Sequence, residues 1–182
     1  MHAELADFML DLVQNSIEAE AENISVVFGE SMENIYFSAA DDGRGMDKDL
    51  MEKALSPFFS DGTKHPGRKA GLGLPFLSQM SEQCGGTFYI DSTPGSGTVV
   101  KVSVPALSVD VPPAGNLPFL WLQCLGFDGD YQLKIKREKY NQYYTVNRKE
   151  IFDALGSLED SGAKKLLLDY LVSLEESINP KE

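Results

Sequence analysis

The chain has 182 residues, 42% of them hydrophobic, so it is long enough for one domain with an elaboration or for two small domains and can fill a real core. Its 16 Lys and Arg against 28 Asp and Glu give a net charge of −12, which excludes broad nucleic-acid binding unless one region is a local exception. The sequence contains no run of about 18 apolar residues, so no membrane-spanning helix is predicted. The N-terminus is acidic, unlike the basic leader of a signal peptide. We therefore expect a soluble, cytoplasmic protein.

The apolar residues near the N-terminus recur at three- and four-residue steps, which predicts an amphipathic helix over residues 4–18. Two strands are predicted next, over 23–29 and 34–40, with a polar turn between them. Asp47 then carries a side chain suited to capping a short helix, which we expect over 48–55.

The segment 56–69 contains two Pro and two Gly without periodicity and is predicted to be a long loop, a kind of connection that is usually functional or mobile. A helix is predicted to follow over about 72–83 and to end at a Gly-Gly pair. Beyond it, the sequence predicts a strand pair over 87–92 and 98–104.

Paired prolines within 109–115 cannot continue a helix or a β-ladder, so this segment is predicted to be a linker between an N-terminal domain, 1–108, and an extension, 116–182. The apolar residues of the extension, which include Trp121, indicate packing against the first domain, with a partner-binding surface as the alternative. The predicted elements of the extension are a short helix, a hairpin and two further helices, over 117–125, 131–137 with 142–146, 148–155 and 163–177.

Four polar residues of the first helix, Asp7, Asp11, Asn15 and Glu18, lie on one stripe opposite the apolar residues. Such a stripe is usually a solvated face. Asn15 is the member that suggests a function, because the interior of a helix disfavours Asn without a compensating bond.

A glycine-punctuated turn, Asp41–Met46 (DDGRGM), follows the second strand directly. A carboxylate at the end of a strand can accept a hydrogen bond from an exocyclic amine, and glycines let a flat ring approach the backbone. An ordinary turn is the alternative, because Asp and Gly are common in turns.

The segment Gly67–Leu74 (GRKAGLGL) leads from the predicted loop into a helix, so backbone N–H groups and the helix start together favour an anion. Basic residues, Lys64 among them, outnumber acidic ones in and just before this segment, which is the local exception that phosphate binding requires. A flexible linker with a glycine hinge is the alternative. A last glycine turn, Gly95–Thr98 (GSGT), enters a strand, and we expect Thr98 to face the same ligand as Asp41.

Taken in order, these motifs resemble the ATP-binding domain shared by DNA gyrase, the ninety-kilodalton heat-shock chaperones, sensor histidine kinases and the mismatch-repair protein MutL. The resemblance covers roughly residues 5–105. Four residues of the motifs are separated by 26, 30 and 26 positions: Asn15, Asp41, Gly71 and Gly97. The resemblance implies an α/β (α+β) two-layer sandwich in which helices cover one face of a mixed, mostly antiparallel sheet, the Bergerat-type ATP-binding fold.

The resemblance also implies ATP and Mg²⁺ as ligands. It implies that Asn15 holds Mg²⁺ through its amide oxygen, that Asp41 accepts the adenine amino group and that Thr98 assists through a water. The other nucleotide-binding residues that it implies are Gly43, Gly45, Met46, Lys64, Gly71, Leu72, Gly73 and Leu74.

Asp11 occupies the position where gyrase and MutL carry a Glu that activates the attacking water, and it offers the same carboxylate on a shorter side chain. The resemblance therefore implies Asp11 as the catalytic general base. Neither His2 nor His65 lies on a dimerisation helix of the kind that carries a phosphoacceptor, so we expect no autophosphorylation within this chain.

Three functions remain open at this point. A nucleotide-dependent switch or weak ATPase is preferred, because the Asp11 and Asn15 pair keeps a carboxylate where hydrolysing relatives have one. Phosphoryl transfer to a separate protein, in the manner of anti-sigma serine kinases, is the first alternative, and a non-catalytic nucleotide-binding interaction module is the second. We expect ATP and a protein as binding partners and neither nucleic acid nor membrane, and a homodimer is compatible with the resemblance.

Overall fold

The computed structural model describes residues 4–56 and 73–179. The helices and strands, in chain order, are α1 (Leu5–Glu18), β1 (Asn23–Glu30), β2 (Asn34–Asp41), α2 (Lys48–Ala54), α3 (Gly73–Gln83), β3 (Thr87–Thr93), β4 (Gly97–Pro105), α4 (Leu117–Leu125), β5 (Gln132–Lys139), β6 (Gln142–Asn147), α5 (Arg148–Leu155) and α6 (Ser161–Ser177). Every predicted helix and strand is present, with bounds that differ by one or two residues at most. Most of the predicted loop 56–69 lies outside the described residues.

The strands form one mixed sheet in the order β3-β4-β2-β1-β5-β6. All neighbouring strands are antiparallel except β1 and β5, which are parallel. Asp41, the last residue of β2, lies opposite Thr98 of β4. This register brings the first and the last glycine turn of the sequence to the same end of the sheet.

Helices cover one face of this sheet. Alternate side chains of the central strands point to that face and are buried, as Val26, Phe28 and Phe37 are. The side chains between them, such as Ser25 and Val27, lie on the other face and are exposed or half-buried. Apolar residues of α1, α3, α4 and α6 share one core with the buried face of the strands, which confirms the predicted two-layer sandwich.

The C-terminal extension continues both layers. Strand β5 pairs with β1 from one end to the other, and α4 packs against α1 and α6. Trp121 of α4 is 0% exposed, and its indole N–H donates to the hydroxyl of Tyr144 at 3.0 Å. The sheet and the core therefore contain elements from both sides of the predicted linker 109–115. The division into two domains stays a prediction. Among the described residues, none of the helices has the length and apolar character needed to span a bilayer.

Candidate functional site

One face of α1 is apolar and buried, and the opposite face carries the side chains predicted to bind the nucleotide. Asp11 is half-buried and Asn15, one turn later, is exposed. Asp7, on the same stripe, has a local role, because its carboxylate accepts a hydrogen bond from the N–H of Glu4 at 3.2 Å and closes a capping box. The first turn of the helix therefore fixes its start, and the next two turns present Asp11 and Asn15.

Asp41 is held at the end of β2 by donors from three separate segments. The hydroxyl of Ser16, on the buried side of α1, donates to Oδ2 at 2.8 Å. The other carboxylate oxygen, Oδ1, accepts the N–H of Gly43 at 3.0 Å and the N–H of Thr98 at 3.3 Å. The carboxylate is thereby fixed between the helix, the first glycine turn and β4.

This fixed carboxylate keeps the capacity to accept one further hydrogen bond. An ionised carboxylate has about four lone-pair sites, and the three described donors occupy one site each. The remaining site is on Oδ2, the oxygen that Ser16 contacts. An exocyclic amine of a purine is a donor of the kind that this site can take.

One glycine in each of the two turns is required by the chain's own packing. A Cβ on Gly45 would lie 2.0 Å from the carbonyl oxygen of Thr93, and a Cβ on Gly97 would lie 1.8 Å from the carbonyl oxygen of Asp41. Both glycines also have a positive φ, of 64° and 96°. Access for a flat ring therefore explains these glycines only in part, because protein backbone fills the space where each Cβ would stand.

Backbone hydrogen bonds hold the first glycine turn between two other segments. The N–H of Arg44 donates to the carbonyl oxygen of Ala19, at the end of α1, at 2.9 Å. The carbonyl oxygen of Arg44 accepts the N–H of Gly95, in the β3–β4 turn, at 2.7 Å. The turn that positions Asp41 is thus anchored on both sides by elements that are distant in sequence.

A chain of polar contacts also joins Met46 to Thr98. The N–H of Met46 donates to the hydroxyl of Ser92 at 2.8 Å, and that hydroxyl lies 2.8 Å from the hydroxyl of Thr98. Since Thr98 is paired with Asp41 across the strands, these residues form one polar cluster at the end of the sheet. The structure therefore brings Asp41, Gly43, Gly45, Met46 and Thr98 together.

The N-terminus of α3 lies beside Asp11. This helix begins at Gly73, and a Cβ on Gly73 would lie 3.0 Å from Oδ2 of Asp11. Leu74, the next residue, is half-buried and packs against the core. The other residues predicted near this helix start lie outside the described residues: Lys64, Gly71 and Leu72.

The sequence motifs contain Asp42 without indicating its role, which is structural. Its carboxylate accepts the side-chain amide of Asn23 at 2.7 Å and the backbone N–H groups of Asn23 and Glu22 at 2.8 and 2.9 Å. These bonds, first that of the Asn23 side chain, hold the pKa of Asp42 below its ordinary value. Asp42 therefore fixes the start of β1, whereas its neighbour Asp41 keeps an acceptor position in the candidate site.

Two serines that bond to predicted site residues were also missed. Ser16 follows Asn15 on the buried side of α1 and reaches Asp41, and Ser92 reaches Thr98. A signal for Ser92 exists in the sequence, because it lies on the same side of β3 as the apolar Phe88. For Ser16, a hydroxyl within the apolar stripe of the helix was the corresponding signal.

Two curated sensor kinases are similar to parts of this chain. The sensor kinase CckA of Brucella abortus is 40% identical over 73 residues, which are 40% of this chain and 8% of the relative. The sensor histidine kinase ZraS of Escherichia coli is 32% identical over 113 residues, 61% of this chain and 23% of the relative. The chain therefore spans less than a quarter of the length of either relative.

A solved structure supports the fold. The N-terminal domain of a DNA repair protein superposes with a TM-score of 0.58 at 17% identity, covering 89% of this chain and 58% of that chain. The profile of the histidine kinase-, DNA gyrase B-, and HSP90-like ATPases matches residues 3–108, more than half of the sequence. The chain belongs to this family, and the matched residues form an ATP-binding domain of the histidine kinase-like type.

Proposed function

We propose that this chain binds ATP together with Mg²⁺ and acts as a nucleotide-dependent switch or weak ATPase in which Asp11 is the general base. The position of Asp11 is the observation that supports this function. Its Oδ2 lies 3.0 Å from where a Cβ on Gly73 would stand, at the first residue of α3. Since the N-terminus of a helix attracts phosphate, a carboxylate at this point can reach a water beside a bound phosphate.

The base-binding end of the proposed site is Asp41. Its carboxylate is oriented by Ser16 and by two backbone N–H groups and retains one acceptor position. The amino group of adenine is a donor and fits that position, whereas the corresponding carbonyl group of guanine is an acceptor and would face a carboxylate. The geometry of Asp41 therefore favours ATP over GTP.

The proposed Mg²⁺ site uses Asn15 as its one protein ligand. Mg²⁺ usually keeps several waters and binds through few protein ligands together with substrate phosphates. No cluster of three metal-ligating side chains occurs among the described residues, so an all-protein cage is not formed by them. Asn15 would supply one amide oxygen, and the bound metal would neutralise charge on the phosphates.

In the proposed hydrolysis, a water attacks the γ-phosphorus of ATP. The bond from that phosphorus to the oxygen bridging the β- and γ-phosphates breaks, ADP leaves, and the carboxylate of Asp11 takes the proton of the water. Asp11 lies on a helix that packs into the core, so the base is presented by a rigid element. The side chain of Asp is one methylene shorter than that of Glu and reaches the water less well, so we expect slow hydrolysis.

Phosphate release by the purified chain tests the role of Asp11. In Asp11→Asn we expect release to fall by about 10²–10⁴-fold, the usual contribution of a general base, with ATP affinity nearly unchanged. Asp169→Asn is the matched control, because Asp169 is an exposed acid on α6 and loses the same charge. Release that survives Asp11→Asn would show that Asp11 is not the base.

Calorimetric titration tests the base-binding end separately. We expect Asp41→Asn to weaken ATP binding about tenfold or more, because the amide cannot replace the carboxylate toward both its own donors and the adenine amine. The same titration of Asp169→Asn should match the wild-type chain. Equal ATP affinity in Asp41→Asn would remove Asp41 from the site.

Phosphoryl transfer to a separate protein is the second candidate, and the similarity to two sensor kinases favours it. In this case the γ-phosphate passes to a side chain of another protein, and Asp11 need not activate a water. ATP labelled at the γ-phosphate separates the candidates when it is incubated with the chain and a cell extract. Label in free phosphate that depends on Asp11 supports the ATPase, and label on another protein that persists in Asp11→Asn supports the kinase.

A further inference from the structure

Ser92, near the end of the edge strand β3, has a hydroxyl that contacts three polar groups of the candidate site. It accepts the N–H of Met46 at 2.8 Å, lies 3.1 Å from the carbonyl oxygen of Gly97 and lies 2.8 Å from the hydroxyl of Thr98. Ser92 and Thr98 are partners across β3 and β4, and Asp41 is the partner of Thr98 on β2. The side chains of Ser92, Thr98 and Asp41 therefore form one row across three strands.

The number of protons in this row decides which oxygen donates in each contact. A serine hydroxyl has one proton and two lone pairs, and a carbonyl oxygen can only accept. The contact with Gly97 therefore uses the proton of Ser92. The contact between Ser92 and Thr98 then uses the proton of Thr98, because Ser92 has no second one. In the opposite assignment Ser92 donates to Thr98, and two acceptors are left facing each other at the Gly97 carbonyl.

This assignment leaves the hydroxyl of Thr98 as an acceptor toward the site. Its proton is bonded to Ser92, and within residues 4–56 and 73–179 its lone pairs take part in no further hydrogen bond. Asp41, the next side chain in the row, also keeps an acceptor position. Two acceptors thus lie side by side at the end of the sheet, and neither side chain can donate.

We propose that Ser92 is a positioning residue that sets the base preference of the nucleotide site, because it holds the Thr98 hydroxyl as an acceptor. The inference rests on the proposed binding of ATP at Asp41. The 6-amino group of adenine has two hydrogens to donate, whereas the 6-oxo group of hypoxanthine can only accept. A water placed between the two acceptors would donate to both and could then only accept from the base, so the preference for an amino group also holds with a water there.

Removal of the Ser92 hydroxyl frees the proton of Thr98 to turn toward the ligand. Thr98 can then donate to a 6-oxo group, and the amino group of adenine loses one acceptor. Ser92→Ala should therefore narrow the preference for ATP over ITP, the triphosphate of hypoxanthine, by about three- to tenfold, the change expected from one hydrogen bond. A role of Ser92 in stability alone would leave the ratio of the two affinities unchanged.

Calorimetric titration of the full chain with ATP and with ITP, each together with Mg²⁺, measures this ratio. Ser92→Thr keeps a hydroxyl at this position and should keep the preference of the wild-type chain. Ser103→Ala is the matched control and should keep it as well, because Ser103 is a half-buried serine on β4 that lies five residues beyond Thr98 and on the opposite face of the sheet.

The outcomes separate this inference from the proposed function. A narrowed preference in Ser92→Ala alone supports the inference. A Ser92→Ala chain that binds ATP and keeps the wild-type ratio, or a larger one, overturns the inference and leaves the proposed binding of ATP intact. A wild-type chain that binds neither nucleotide overturns both.

A double-mutant cycle tests whether Ser92 acts through Thr98. Thr98→Val keeps a β-branched side chain on the strand but removes the hydroxyl, so it should narrow the preference by itself. Adding Ser92→Ala to Thr98→Val should change the ratio no further, because the proton that Ser92 directs is already gone. A second narrowing as large as the first would show that Ser92 acts by another route, which contradicts the proposal.

Amide hydrogen exchange of the nucleotide-free chain tests the geometry without a ligand. Ser92→Ala removes the acceptor of the Met46 N–H, so this amide should exchange about tenfold faster than in the wild-type chain, whereas in Ser92→Thr it should not. Unchanged exchange in Ser92→Ala would overturn the proton assignment at Ser92. Ser92→Cys offers only a weak donor and acceptor and should shift both measurements in the same direction, so it gives the answer if the alanine variant does not fold.

Discussion

The acid at the end of β2 and the arginine within β5 satisfy their polar groups in opposite ways. Asp41 is half-buried and accepts three hydrogen bonds, one from a side chain and two from backbone, with one acceptor position left. Arg137 is 1% exposed, and its guanidinium donates to Glu175, to Glu30 and to the carbonyl oxygen of Glu138. The first group keeps an acceptor position for a ligand, whereas all three nitrogens of the second donate within the protein and its side chain is closed to solvent.

The network around Arg137 joins the extension to the N-terminal strands. Glu30 belongs to β1 and Glu175 to α6, and Glu175 also accepts the hydroxyl of Tyr144 at 2.9 Å. The Arg137 guanidinium lies 5.3 Å from the centre of the Phe28 ring. A buried cation whose nitrogens are all bonded within the protein fixes how these elements assemble, and its burial leaves no access for a ligand.

The sheet thus contains two kinds of charged group, one closed within the protein and one with an acceptor position left. Where a charged group is buried and all its nitrogens are bonded within the protein, as in Arg137, a substitution should lower stability without altering the nucleotide site. Where one acceptor position remains, as on Asp41, a substitution should weaken nucleotide binding more than it lowers stability. The predictions below test this division, beginning with the largest expected effect.

Arg137→Met should lower the free energy of unfolding by about 3–5 kcal/mol, because it leaves Glu30 and Glu175 without their cation in a buried setting. Chemical denaturation measures the loss. The matched control is Lys136→Met, one residue earlier, whose side chain is 41% exposed in its ion pair with Glu138, so this variant should lose much less stability. Similar losses in the two variants would show that the Arg137 network does not anchor the extension.

Two glycines of one turn provide the next test. Gly97→Ala should cost roughly 2–5 kcal/mol, since the added Cβ would lie 1.8 Å from the carbonyl oxygen of Asp41 and the residue has a φ of 96°. Gly95→Ala is the control, because its φ of 75° is also positive but no atom lies within 4 Å of its Cβ position. That variant should cost only about 1–2 kcal/mol.

Nucleotide titration adds a second measurement to the glycine pair. The clash at Gly97 displaces Asp41, so ATP affinity per folded molecule should fall in Gly97→Ala and stay unchanged in Gly95→Ala. If both variants bind ATP like the wild-type chain, the close packing at Gly97 does not position the carboxylate.

Local signals account for what the sequence predicted well. The helix over 117–125 was predicted from Asn116 before it and Gly126 after it, and in the structure the side chain of Asn116 accepts the N–H of Phe119. The contacts that sequence reasoning missed are long-range. Ser16 meets Asp41 across 25 residues, and no local pattern records such a distance.

The sequence also did not predict that the sheet continues into the extension, because strand pairing is a long-range contact. Strand β5 was predicted as part of a hairpin in a separate extension, and its alternation is a local property. Its parallel pairing with β1, and the bond from Arg137 to Glu30 across 107 residues, depend on how the whole chain assembles. An arginine at an apolar position of β5 was the one sign that a buried acid would lie opposite.

The stability of the protein at high pH should depend on Tyr131, a buried residue of the extension. Its hydroxyl donates to the carbonyl oxygen of Cys124 at 2.6 Å, and burial raises the pKa of Tyr131 from 10.0 to about 12. Between these values the unfolded chain releases the proton and the native chain keeps it, so stability falls as the pH rises through this window. The loss is of the order of 2 kcal/mol.

Denaturation of the wild-type chain and of Tyr131→Phe, each at pH values below and within that window, measures this dependence. The variant lacks the ionisable hydroxyl, so its stability should fall less with pH. Tyr144, whose pKa is also raised by burial, is present in both chains and cancels in the comparison. Parallel curves for the two proteins would show that Tyr131 ionises as easily in the native state as in the unfolded one.

The smallest expected effect concerns the two adjacent acids, Asp41 and Asp42, of which only the second is assigned to structure. Hydrogen bonds from Asn23 hold the pKa of Asp42 below 3.8, so its contribution to stability is present above that value and is lost as the pH falls through the native pKa. In Asn23→Ala the side-chain donor is gone while the backbone donors remain, so the pKa of Asp42 should return only part of the way. Carboxyl-carbon NMR titration measures it, with Asn34→Ala as the control. A pKa of Asp42 that is equal in all three proteins would mean that this acid is not anchored by Asn23, and Asp42 would then compete with Asp41 as the group that faces the ligand.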